Sequence, residues 1–373
     1  MTPSVEDTIP LVDLAAQHAE VAAEVADGFA RVLATTAFVG GEDVAAFEAE
    51  FAAFCGAGHC VGVANGTDAI ELALRAAGVG PGDEVIVPAN TFVATAEAVV
   101  RTGATVAFVD CEAEHLLIDT SAVEAAIGPR TRAVIGVDLY GQVPDMEELE
   151  RITAGAGILL FEDAAQSQGA TRNGRPAGSF GVAAATSFYP GKNLGAYGDA
   201  GAVLTASDEV DHRLRGLRNH GGVGRYQHEM LGFNSRLDTL QAVVLRAKLR
   251  RLAGWNEQRR QAAARYASLL AGIPGVVLPG TAEGNEHVWH LYVTRVPRRD
   301  EVLASLRDSG IGAGIHYPVP VHLQAAFRSA GGGEGSFPVA EAAAGSLLSL
   351  PIYPGITAAQ QERVAEALAK ELG

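Results

Sequence analysis

Cysteine is scarce in this chain of 373 residues, and the three present, Cys55, Cys60 and Cys111, form an odd set without metal-ligand spacing. That count speaks against a disulfide framework and against a cysteine metal centre, so the thiols read as small buried apolar groups. Basic residues are also in short supply: 28 Lys and Arg stand against 44 Asp and Glu, a formal charge of −16. A nucleic-acid backbone or an anionic membrane would be repelled over most of such a surface, so neither is expected as the main partner. An anionic ligand then needs a local basic pocket. No apolar run approaches the ~20 residues of a membrane span. The opening MTPSVEDTIP carries Glu6 and Asp7 where a secretory leader needs basic residues and a long apolar stretch. A cytoplasmic location is the expectation. No internal repeat is visible.

What is present is a chain too long for one ordinary core, with a 48% hydrophobic content and 44 glycines. From Val61 to Thr205, short apolar runs (EVIVP at Glu84, TVAFVD at Thr105, AVIGVDLY at Ala133, ILLFED at Ile158) alternate with segments of helical spacing such as TDAIELALRAAG and SAVEAAI. Strands buried on both faces and joined by helices indicate an α/β fold, a three-layer α/β/α domain with a mostly parallel sheet. Past Ala206 the chain turns helical. Leu237, Leu240, Val244 and Ala247 share one helix face, and a second helix is predicted from Trp255 through Leu270. The large domain is placed at residues 1–253 and a smaller C-terminal α+β domain at 254–373. The smaller one contains strand-like HVWHLYVTRV at His287, a helix from Asp300, an extended GIHYPVPVH, a Gly-rich GGGEG from Gly331, and a last helix with a capping box, Thr357 and Gln360.

The chemistry concentrates between Phe161 and Ala202. One strand-like run ends at Asp163 and is followed by Gln166; another ends at Ser187 and delivers Lys192 on a Pro-Gly turn. Ligands of such sheets lie at the C-terminal strand ends. A protonated lysine is a poor nucleophile but becomes useful as a Schiff base with an aldehyde cofactor, and a carboxylate paired with a pyridinium nitrogen makes that cofactor an electron sink. Asp163 with Lys192 therefore reads as a pyridoxal phosphate site. Lys192 has no acidic neighbour before Asp199, a setting that lowers an amine pKa. An unpartnered buried carboxylate at 163 would be costly, and a protonated pyridine supplies the cation. NGTDAIELAL from Asn65 opens a helix whose free N–H groups form an anion site for a phosphate, although Asp68 there is equally readable as a plain cap. Phe92 is readable as core or as an aromatic stacked on the pyridine ring. The segment from His212 to His228 holds Arg213, Arg215, Arg218 and Arg225 with no acid, either a docking place for a diphosphate or carboxylate or a solvated face.

At these residues the chain resembles the DegT/DnrJ/EryC1/StrS sugar aminotransferases, fold type I pyridoxal phosphate enzymes. NGTDA, EDAAQS, SFYPGKNLGAYGDAGA, GFNSRLDTLQA and GIHYP occur in the family's order, over nearly the whole length. The resemblance implies that Lys192 carries the cofactor, Asp163 meets the pyridine nitrogen, Gln166 the ring hydroxyl, and Gly66, Thr67 and Ser187 the phosphate, with Phe92 stacked. It implies a homodimer with shared sites, Asn234 reaching the neighbouring subunit's phosphate. Tyr189, His316 and Tyr317 match positions that approach the hexose, while Arg225 as a diphosphate ligand is inferred from charge. KNLGAYGDAGA is similar to enzymes that aminate C3 of nucleotide-linked 3-keto-6-deoxysugars, so the implied reaction moves an amino group from L-glutamate, leaving 2-oxoglutarate, to a dTDP-linked keto sugar. It cycles pyridoxal and pyridoxamine phosphate, serves deoxyaminosugar or antibiotic biosynthesis, and needs no metal. A C4 aminotransferase shares all but the substrate contacts. A non-enzymatic pyridoxal-binding regulator is the more distant alternative.

Overall fold

The computed structural model describes residues 8–224 and 226–373. Two helices, α1 (Leu14–Thr35) and α2 (Glu42–Cys55), precede a seven-stranded sheet. Its strands are β1 (His59–Val63), β2 (Glu84–Pro88), β3 (Thr105–Val109), β4 (Thr131–Val137), β5 (Leu159–Asp163), β8 (Ala183–Ser187) and β9 (Gly201–Thr205). A small hairpin, β6 (Thr171–Arg172) and β7 (Arg175–Pro176), interrupts them. Spatial order is β1-β9-β8-β5-β4-β2-β3, parallel from β8 through to β3, with β9 antiparallel to both of its neighbours.

The two-residue period of the strands makes the layers. Val85 and Val87 of β2 and Ile135 of β4 belong to a core shared with α3 (Gly66–Ala76), α4 (Val93–Thr102) and α7 (Asp208–Leu217). Their neighbours Ile86 and Val134 point into a separate core with Val123 of α5 (Thr120–Ala126) and Met146, Leu149 and Ile152 of α6 (Met146–Ala156). Chain order runs one way across the sheet from β2 to β3 and the other way from β4 to β5 to β8, so the direction reverses between β2 and β4. A crevice opens at such a reversal, outside the C-terminal strand ends.

After a short ribbon, β10 (Gly222–Gly224) and β11 (Gln227–His228), comes α8 (Thr239–Leu270), one helix of 32 residues where the sequence predicts two. Gly254 sits inside it. The space where its Cβ would stand is open, and the ~1 kcal/mol propensity cost of a helical glycine is outweighed by burial of Leu252 and Trp255 on either side. The first half of α8 packs against α2 and α1, and its second half, Ala262 to Leu270, enters the C-terminal core. That core gathers β13 (Tyr292–Arg295) and β14 (Leu347–Leu350) with α9 (Arg299–Asp308) and α11 (Ala358–Leu372); β12 (Asn285–Glu286) and α10 (Pro338–Ala344) lie outside it. The strand predicted from His287 begins only at Tyr292. Val288 N–H donates to the Gly141 carbonyl and Leu291 N–H to the Tyr140 carbonyl, so this stretch ties the two cores instead. The expected capping box opens α11: the Thr357 hydroxyl accepts from Gln360 N–H, and Gln360 Oε1 from Thr357 N–H. The cysteines are all buried and free, and burial pushes each thiol up. No helix among the described residues is long and apolar enough to cross a membrane, and no cluster of metal-ligating side chains is found among them.

Candidate active site

The C-terminal ends of β1, β2, β5 and β8 converge on one cavity of about 720 Å³. β1 delivers Asn65, Gly66 and Thr67; β2 delivers Thr91 and Phe92; β5 ends in Asp163 and its turn adds Gln166; β8 ends in Ser187 and leads to Tyr189 and Lys192. His290, His316 and Tyr317 close it from the C-terminal half. All of the predicted residues line this cavity except Asn234, which is exposed and not part of the lining, and Arg225, which lies outside the described residues.

Asp163 is held on both oxygens. Oδ2 accepts from the Thr95 hydroxyl at 2.7 Å, and Oδ1 accepts from Ala165 N–H at 3.2 Å. Burial nonetheless pushes its carboxyl up, against the pull of these donors and of Lys192. A buried carboxylate in that condition is short of a cation. Across the cavity, burial pushes the Lys192 amine down to about 8, with Asp163 opposing. Gln166 is more committed than the sequence suggests: its Oε1 accepts from Tyr140 N–H at 2.6 Å and its Nε2 donates to the Tyr317 hydroxyl at 3.1 Å. Phe92 is 49% exposed and leans on Tyr317 with ring centroids 5.2 Å apart. It is therefore no core residue. The Tyr140 hydroxyl donates to the His316 carbonyl at 2.6 Å, and His316 Nδ1 pairs with the Ser349 hydroxyl at 2.7 Å.

At the β1 end, α3 is capped by Asn65, whose side chain accepts from Asp68 N–H at 2.8 Å. Asp68 is not the cap; it accepts from Ser235 at 2.8 Å and faces Arg101 at 3.3 Å. A Cβ on Gly66 would stand 2.6 Å from the Ser187 Cβ. Glycine and serine thus leave a cradle at a helix N-terminus, where N–H groups and the helix dipole favour an anion. A cradle for phosphate, a buried aspartate in no ion pair among the described residues and a lysine of lowered pKa are three separate fits to pyridoxal phosphate.

The described arginines of the His212–His228 segment are already engaged. Arg215 and Arg218 both meet Glu48, at 3.0 and 2.5 Å, and Arg213 meets Glu209 at 3.2 Å. Three contributors escape a reading of the sequence. Thr95 carries no motif and reaches Asp163 only because α4 begins there. His290 is buried, its Nδ1 3.2 Å from the Asn193 Oδ1, and burial, then Lys192, holds it neutral. Arg101 lines the cavity yet is paired with Glu71 at 2.8 Å as well as with Asp68.

Fold and site together define a pyridoxal phosphate enzyme of the aminotransferase kind. The chain belongs to the DegT/DnrJ/EryC1/StrS aminotransferase family, whose sequence profile matches residues 20–369. It is 48% identical over 360 residues to the dTDP-3-amino-3,4,6-trideoxy-alpha-D-glucose transaminase of Streptomyces venezuelae, covering 96% of this chain and 95% of that one. The crystal structure of S. venezuelae DesV in complex with a ketimine intermediate superposes with a TM-score of 0.96 at 48% identity, covering 98% of both chains. That of NtdA from Bacillus subtilis with bound cofactor PMP gives 0.90 at 31% identity, covering all of this chain and 87% of that one.

Proposed function

We propose that this enzyme transfers the amino group of L-glutamate to C3 of a dTDP-linked 3-keto-6-deoxyhexose, in deoxyaminosugar biosynthesis. The observation that carries the reading is the facing pair of Lys192 and Asp163 at the strand ends of one large cavity, in a chain 48% identical to a 3-amino sugar transaminase. When bound, pyridoxal phosphate supplies an aldehyde that condenses with amines and a ring that takes up the charge left when a proton leaves carbon. The residues do the rest. Gly66, Thr67 and Ser187 hold the phosphate end, and Phe92 covers one ring face. Asp163, fixed by Thr95 and Ala165, offers its carboxylate to the ring nitrogen. Lys192 Nζ, pushed down to about 8 by burial, is in part unprotonated near neutral pH, so it both takes a proton from a substrate carbon and returns it. Tyr189, His316 and Tyr317 face the sugar.

Charge supports a second protomer at the site. Glutamate and a nucleoside diphosphate are both anions, but the cavity's only described cations are Lys192, which reacts, and Arg101, which is already paired. Burial, then Lys192, pushes His316 down to about 4, so it adds no charge. The missing cations then come from residues outside this lining, Arg225 and the partner copy among them. Phe38 and Val39 are 45% and 54% exposed, beside the start of α8 and the Asn234 loop, as a homodimer with shared sites needs. Half-reactions test the substrate. Enzyme converted to its amino form with glutamate is expected to regain the absorbance of the aldehyde form on mixing with a 3-keto dTDP sugar. Recovery with a 4-keto sugar alone would move the reaction to C4.

A further inference from the structure

Behind Asp163, on the far side of the strand ends, two more acids are sealed from solvent. Asp138 follows β4 and is 0% exposed; Glu162, within β5, is 1% exposed. Neither forms an ion pair with a lysine or arginine among the described residues. Glu162 spends both oxygens on backbone N–H groups, of Gly178 at 2.9 Å and Phe180 at 3.0 Å. Asp138 Oδ2 accepts from the Ser167 hydroxyl at 2.6 Å, while its Oδ1 faces no N–H or O–H group among the described residues. Gly136 of β4 stands opposite Glu162 in the sheet, so Asp138, two residues on, shares its face and brings its carboxyl within reach of that of Glu162. Two carboxylates cannot bond without a proton between them, and Glu162 is filled with donors already, so Asp138 is the donor.

We infer that Asp138 and Glu162 share one buried proton, and that this proton clamps together the two turns on which the cofactor site is mounted. Glu162 fixes the turn at Gly178–Phe180 that feeds β8, hence Ser187 and Lys192. Asp138 fixes Ser167, in the turn that follows Asp163 and Gln166, and its own N–H donates to the Asp163 carbonyl at 3.0 Å. The proton also leaves one negative charge rather than two beside Asp163, which must itself stay ionised. Asp138 is a positioning residue; it touches neither cofactor nor substrate in this arrangement.

Charged or titratable groups facing the pair are Asp163 on β5, Cys55 on α2 and Arg175 on the hairpin, the last committed to Glu150 at 2.9 Å and the Ser179 carbonyl at 2.7 Å. Burial, then Glu162, pushes the Asp138 carboxyl far above its ordinary range. The folded protein therefore holds a proton that the unfolded chain has already lost, and stability from this group falls as pH rises from the carboxylate range upward. Asp138→Asn replaces the shared proton by a fixed N–H donor to Glu162 and still accepts from Ser167.

The test compares wild-type holoenzyme, D138N and D138A from pH 6 to 9, about three pH units, by denaturant unfolding and by cofactor retained after gel filtration. The ratio of the wild-type to the D138N unfolding constant is expected to rise about tenfold per pH unit, one proton's worth. D138N is expected to keep its cofactor at the alkaline end where wild type begins to lose it, and D138A to lose it throughout. Parallel pH profiles for wild type and D138N would overturn the inference. Should D138N fail to fold, infrared spectra of wild type decide: the carbonyl band of a protonated carboxyl persisting at the alkaline end supports the shared proton, and its absence refutes it.

Discussion

Lys192 and Asp163 shift in opposite directions for one reason, since burial penalises the charged form of each. An amine pushed from 10.5 to about 8 is a usable nucleophile close to neutral pH. Cofactor capture by the cofactor-free enzyme should therefore quicken as pH rises through about 8, following the unprotonated fraction, and level off above it. Stopped-flow absorbance would show this; a rate flat from neutral to alkaline pH would contradict it. The same shift makes this group stabilise the cofactor-free fold increasingly as pH climbs from about 8 to 10.5, where the unfolded chain still holds the proton. Asp163 and Lys192 are legible in the sequence because an acid and a lysine ending apolar runs are chemically conspicuous. Thr95 and His290 are not. Each is an ordinary residue in an ordinary segment, and only the packing of α4 and of the 287–291 stretch brings them to the pair.

At the scale of elements, the sheet is legible wherever a strand is buried on both faces, because its residues are then nearly all apolar. β2, β4 and β5 fall where EVIVP, AVIGV and ILLFED place them. The departures have tertiary causes. The continuity of α8 through Gly254 and the late start of β13 both follow from partners the local pattern does not contain: Leu252 and Trp255 seated in two cores, and the Tyr140 and Gly141 carbonyls. The cradle at the start of α3 depends on a missing side chain. Gly66→Ala places a Cβ 2.6 Å from the Ser187 Cβ, an overpacking worth about 1–3 kcal/mol. Cofactor affinity should fall about 5- to 150-fold while far-ultraviolet circular dichroism stays unchanged, because alanine favours the helix that Gly66 begins. Unaltered affinity on fluorescence titration would remove Gly66 from the phosphate site.

In the whole molecule, one long helix joins the cores around the sheet to the C-terminal core, and residues from both parts line the cavity. The molecule's net charge of −16 accounts for the expectation that cations are concentrated rather than general, and the paired state of Arg215, Arg218 and Arg101 sharpens it. If Asn234 serves a neighbouring copy, K192A and N234A are each impaired, yet unfolding and refolding them together forms mixed dimers with one intact site. Regain of about a quarter of wild-type activity is then expected. No regain would confine each site to a single chain.

Most directly at stake is the attachment of the cofactor. The holoenzyme, reduced with borohydride and digested, should yield one peptide carrying the added mass of reduced pyridoxal phosphate, and fragmentation should place that mass on Lys192. Label on another lysine, or none in enzyme saturated with the cofactor, would contradict the account.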